Sequence, residues 1–134
     1  MEKKLDPLLR EIADHLGFLG YESEVKEGKQ SPYIFLTHLR NPNFVLDTFG
    51  GAVKVVALYG ITKEAQAGPP ELLGLLNELN RNAIVLKFYT NDESLMLEAM
   101  FPRDYSKSSF GSFWSMVESD FRLFLDGRIT PFLE

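Results

Sequence analysis

The side chains first in line for acid–base or metal chemistry are two histidines, His15 and His38, and a scatter of carboxylates. His15 falls opposite the leucine stripe of an N-terminal helix, near its end, where the dipole favours a partly positive imidazole. His38 alternates with Ile34 and Leu36, which places it half-buried at a strand end. A metal site needs several ligands brought to one geometry. The chain has no His-x-x-x-His, no HExxH and no aspartate cluster, and no cysteine to act as thiolate or nucleophile. Asp92 and Glu93 are adjacent carboxylates, but they sit where a turn between two strands favours such residues anyway. Gly50-Gly51 and Gly68-Pro69-Pro70 match neither phosphate-loop pattern. No catalytic, cofactor or metal set is expected from these residues.

Binding chemistry has better candidates. Asn77, Asn80 and Arg81 lie at the end of one predicted helix. The two asparagines either cap it and bond to the backbone of the next strand, or form a polar binding surface with Arg81. Met96, Glu98 and Met100 alternate along one face of a predicted strand. Glu98 is then solvated at a sheet edge or turned to a partner, and the methionines make an adaptable apolar surface or plain core.

The elements that must position these residues can be read in order. Asp6 as N-cap and Pro7 at the first helical position open a helix over 6–17, with Leu8, Leu9, Ile12, Ala13 and Leu16 as its apolar stripe and Gly17 and Gly20 ending it. Strands are predicted at 21–27, 33–39 and 44–49, with turns at 28–31 and 41–43. In the first, Tyr21, Ser23 and Val25 share a face and the charged residues take the wet one. Residues 52–59 resume β structure after Gly50-Gly51. Whether 44–59 is one bent strand or a hairpin stays open, with two consecutive glycines favouring the hairpin. Residues 60–70 read as a connecting loop. Pro69 and Pro70 then start a helix whose Leu72, Leu75, Leu76 and Leu79 line one face, broadened by Leu73, and Asn80 to Asn82 stop it. A strand is expected at 83–89, a turn at 90–93 and a partner strand at 94–101. A final helix, capped by Ser108 or Ser109, carries Phe110, Phe113, Trp114, Val117, Phe121, Phe124 and Leu125 on one face and ends at Asp126-Gly127. The apolar tail Ile129–Leu133 should be docked.

This is the order α-β-β-β(-β)-α-β-β-α. It predicts a single α+β domain over 1–134, an antiparallel sheet of five or six strands with three helices on one face. At 134 residues and 45% hydrophobic content, the chain can build its own core. A net charge of −5 argues against nucleic acid as the main partner. The charged N-terminus lacks a signal-peptide core, and no apolar run reaches the roughly 20 residues needed to span a bilayer, so the expected location is the cytoplasm, with no membrane partner.

Leu75 to Pro102, LLNELNRNAIVLKFYTNDESLMLEAMFP, resembles the hallmark region of the YbjN-like domain, assigned to candidate bacterial sensory-transduction regulators. The most telling part is Leu76-Asn77-Glu78-Leu79-Asn80, followed by Lys87-Phe88 in a strand and Asp92 in a turn. That domain is similar to type III secretion chaperones, small acidic dimers that bind extended peptides. The resemblance therefore implies a chaperone-like α+β fold and a binding role, and supplies no catalytic residues. The β structure around 44–59 departs from the family's layout.

The expectation is a non-enzymatic, bacterial protein-binding module, a regulator or chaperone-like protein that engages a peptide of another protein. The alternative is a small-molecule sensor or enzyme with a pocket lined by Tyr33, Tyr59, Tyr89 and Trp114. Ile34, Leu36, Phe35, Val53, Val55, Ile84, Leu86, Phe88, Leu95 and Leu97 put apolar residues on both strand parities, more than three helices can cover. A homodimer is the expected resolution. Its competitor is that the 60–70 loop and the tail fold back as covers.

Overall fold

A computed structural model describes residues 4–134; Met1, Glu2 and Lys3, part of the charged N-terminal stretch, lie outside the described residues. Helix α1 spans Pro7–Gly17 and starts as its residues dictate: Asp6 Oδ1 accepts the Leu8 amide at 2.9 Å, and Pro7 sits at the first position. Leu9, Ile12, Ala13 and Leu16 are its buried face. A meander follows, β1 Glu22–Lys26, β2 Tyr33–Thr37, β3 Phe44–Phe49 and β4 Ala52–Gly60, each strand antiparallel to the last. Phe49 pairs with Ala52 across a two-residue turn in which Gly50 adopts φ 58°, so 44–59 is a hairpin and the two glycines supply it.

The segment expected as a loop over 60–70 contains a short helix, α2 Lys63–Gln66, capped where Thr62 Oγ1 accepts the Ala65 amide at 3.1 Å. It adds a fourth α-helix to the three expected. Helix α3, Pro70–Asn82, buries Leu72, Leu76 and Leu79. Strands β5 Lys87–Asn91 and β6 Ser94–Pro102 form a tight hairpin whose Asp92 takes φ 52°. The sheet order is β1-β2-β3-β4-β6-β5: β6 inserts beside β4 over nine pairs and leaves β5 at the edge. Helix α4, Lys107–Phe124, is capped by Ser106 rather than Ser108 or Ser109, and Ser109 returns the bond to the Ser106 amide. Ser106 is the last residue with extended backbone before the helix, which is what a cap requires.

The strand expected over 83–89 begins only at Lys87. Asp120 of α4, fully buried, accepts the amides of Ile84, Val85 and Leu86 at 2.8–3.0 Å. A carboxylate takes the donors that a β ladder would have used, so Ala83–Leu86 stays a loop pinned to α4.

One core joins α1, α3 and α4 to a single sheet face, through Ile34, Leu36, Leu46, Val53, Val55, Phe88, Leu95 and Leu97. Trp114, as expected, is buried, against Tyr21, Phe44, Phe110 and Phe121. The tail docks: Ile129 is buried, the Thr62 amide donates to Phe132 O, and the Glu134 amide donates to Gly60 O. It lies against the end of β4 and leaves the helix-free face of the sheet uncovered, since Leu58 and Met100 there stay 54% and 43% exposed.

Candidate functional site

The helix-free face is built by the alternate residues of every strand. One row across it is set by register: Phe35 opposite Val45, Val45 opposite Val56, Val56 opposite Glu98, Glu98 opposite Lys87. Beside it, Lys54 faces Met100, and Leu58, Met96 and Tyr89 follow one another across β4, β6 and β5. Phe35, Val45, Val56, Met96 and Tyr89 are half-buried by their neighbours alone.

Glu98 is at the centre. It was expected at a sheet edge or facing a partner; β6 is an interior strand, and Glu98 is buried by its own neighbours to 6% exposure. Its carboxylate is held on both sides. Lys54 Nζ lies 3.6 Å from Oε1, and the Tyr89 hydroxyl donates to Oε2 at 2.5 Å. That bond, with desolvation and the carboxylate's charge, pushes the Tyr89 phenol above its usual range. Lys54 also lies over the Phe49 ring and Lys87 over the Tyr89 ring, at 5.2 and 5.3 Å. The Glu98 charge at the centre of the face is thus balanced within it by Lys54.

The six candidate residues fall into two groups that the fold keeps apart. Met96, Glu98 and Met100 share the open face, whereas Asn77, Asn80 and Arg81 lie on α3. Asn80 is committed: its Nδ2 donates to Phe88 O and its Oδ1 accepts the Phe88 amide, both at 2.8 Å. It imitates a strand partner along the outer edge of β5, the structural one of its two readings. Asn77 and Arg81 are exposed.

Phe35, Val45, Lys54, Val56 and Leu58 belong to the open face and were absent from the candidate set. Strand parity was the available signal, each lying one residue out of step with a buried neighbour. The apolar load on this face is also lighter than expected. Val53, Val55, Leu86, Phe88, Leu95 and Leu97 all turn to the helices, and Ile84, 60% exposed, is in the loop rather than a strand.

The four aromatics of the expected pocket do not meet. Trp114 and Tyr59 are packed on the helix side, Tyr59 4.9 Å from Phe124, while Tyr33 and Tyr89 are on the other face, on β2 and β5. Both histidines serve structure. His15 Nδ1 is 3.0 Å from the Tyr105 hydroxyl, and His38 Nδ1 accepts the Arg40 and Asn41 amides at 3.0 and 3.1 Å, closing the β2–β3 turn. Among the described residues, no group of three or more His, Asp or Glu could hold a metal ion, and no helix is long and apolar enough to cross a membrane.

Two solved structures share this arrangement. The crystal structure of YbjN from E. coli, a candidate transcription regulator, superposes with a TM-score of 0.68 at 16% identity, over 94% of this chain and 95% of that one. An uncharacterised protein from Methanothermobacter thermautotrophicus superposes with a TM-score of 0.65 at 12% identity, over 93% of this chain and 99% of its own. No family model and no curated protein matches the chain. The likeness shows the fold: a YbjN-like α+β domain with an open, six-stranded antiparallel sheet.

Proposed function

We propose that this YbjN-like fold works as a non-enzymatic protein-binding module, a regulator or chaperone-like protein that engages a peptide of another protein and assembles as a homodimer. The helix-free sheet face carries the reading. It exposes Leu58 and Met100 and half-exposes Phe35, Val45, Val56 and Met96 around a Glu98 carboxylate that Lys54 already balances. Soluble monomers rarely leave contiguous apolar patches of more than a few hundred Å² to water. A face whose central carboxylate is internally paired selects against a strongly charged partner and suits a second copy of itself. Two-fold dimers, which bury the same patch on both subunits, are by far the commonest oligomers. YbjN is described as a candidate transcription regulator. With a net charge of −5, this chain would regulate through protein contacts rather than by gripping a phosphate backbone.

Sedimentation equilibrium at micromolar concentration tests the assembly. The expected mass is twice the 15.3 kDa of the chain, and the single-chain mass at every concentration would overturn it. A thermal-shift screen against metabolites tests the small-molecule alternative, which would require a compound that raises the melting temperature.

A further inference from the structure

We propose that the free edge of β1, with the shallow cleft between it and α1, is a strand-addition site for an extended peptide that alternates apolar and basic residues. The inference rests on the protein-binding reading above and names where the peptide would bind.

The two edges of the sheet differ. At β5, the Asn80 amide group occupies the backbone of Phe88. At β1, among the described residues, no hydrogen bond to the backbone of Glu22–Lys26 is made apart from its ladder with β2. An uncovered strand edge is a template for another chain. β1 also reaches past the helix layer. Its helix-side residues Ser23 and Val25 are exposed, Val25 to 40%. The space there is a cleft of about 530 Å³ lined by Ala13, Asp14, Gly17, Phe18 and Ser23. Phe18 stands 91% exposed at its rim, and a side chain added at Gly17 would meet nothing within 4 Å.

Side chains of an added strand alternate between the two faces. Those on the helix side would enter the cleft against Ala13, Gly17 and Phe18, which suits apolar residues. Those on the other side would pass Glu22 and Glu24, which share that face with Phe35 and Thr37. Lys26 lies 3.2 Å from Glu24, while Glu22 on the same face has no ion-pair partner among the described residues. The charge therefore favours Lys or Arg at the alternate positions. A second copy pairing antiparallel through the same edge about Glu24 would set the two Glu24 side chains opposite each other, a like-charge cost that an alternating basic peptide avoids. The chain's own tail is docked beside β4 and is not the occupant.

The probe is a blocked, fluorescently labelled peptide of alternating Lys and Val, long enough to pair with the five residues of β1. Fluorescence anisotropy should show saturable binding, roughly tenfold tighter than a peptide of the same composition with its Lys and Val in separate blocks. Glu22→Lys with Glu24→Lys should weaken it by about tenfold or more, and Leu73→Asp, exposed on α3, should leave it unchanged. Hydrogen exchange should slow at the amides of Glu22–Lys26. Equal binding of the block peptide, or of an alternating peptide N-methylated along the pairing edge, would reduce the effect to bulk charge attraction and overturn the site. So would failure to bind, or protection that appears elsewhere. The sedimentation mass reads the open face independently, so loss of the edge site and loss of the dimer are separate results.

Discussion

Asp120 shows how much one side chain can decide. It is fully buried on α4, and its only described partners are the three amides of Ile84, Val85 and Leu86. Truncation leaves three buried donors without acceptors, so Asp120→Ala should cost about 3 kcal/mol or more. Asp120→Asn keeps one carbonyl oxygen but loses the charge, for a smaller cost of about 1–3 kcal/mol. Urea unfolding measures both, and an alanine variant as stable as the parent would show that the loop does not depend on this carboxylate. The tyrosines make a second prediction. Burial pushes the phenols of Tyr21 and Tyr59 up to about 12; for Tyr21 the nearby Glu118 carboxylate adds to the rise, against the hydrogen bond from Asn41. In the unfolded chain such phenols ionise near pH 10. Between about 10 and about 12 the folded state holds protons that the unfolded state has released, so stability falls as pH rises through that window. Thermal melts across pH 8–12 should fall on the alkaline limb, and Tyr59→Phe should flatten it. At Trp114, the fluorescence should be that of a buried indole, and Trp114→Ala should cost about 3–5 kcal/mol by opening a cavity among four aromatic neighbours.

Elements were legible where local chemistry and tertiary packing agree. The Asp6-Pro7 start of α1 held to the residue, because a cap needs only its own side chain and the next two amides. The 44–59 connection, open in the sequence with two glycines favouring a hairpin, is a hairpin because Gly50 takes φ 58°, a position that a side chain with a Cβ occupies only under strain. Gly50→Val should therefore cost about 1–3 kcal/mol, read as a lower denaturation midpoint; an unchanged midpoint would mean that the turn relaxes into another conformation. Two boundaries were not legible. Ala83-Ile84-Val85-Leu86 has strong β character, yet its amides are claimed by an aspartate more than 30 residues later, as the separation of 34 for Leu86 shows. The helix start at Ser106 rather than Ser108 or Ser109 depends on which of three serines lies at the end of extended backbone.

For the whole molecule, the helices and the sheet form two layers with one uncovered face, and the dimer is expected to close on it. Leu58 and Met100 are exposed there, Leu58 to 54%, so Leu58→Asp should leave the monomer folded while introducing a charge into the contact. The expected outcome is a sedimentation mass that drops to that of one chain with an unchanged circular dichroism spectrum. A variant that stays dimeric would move the contact off this face.

Residue order alone determined the α+β class, the strand run and its turns and the amphipathic face of each long helix, and it left 44–59 open between a hairpin and one bent strand. These depend on periodicity and on backbone preferences that act over a few residues. Only the tertiary structure decided that β6 sits between β4 and β5. That register is what brings Lys54 and Tyr89 to Glu98 and turns an expected edge carboxylate into the centre of a face. It also decided which asparagine is spent on structure, and that β1 is the edge left open. Contacts between residues tens of positions apart depend on how strands are ordered, and strand order is chosen by packing a whole core at once, not by any single stretch of the chain.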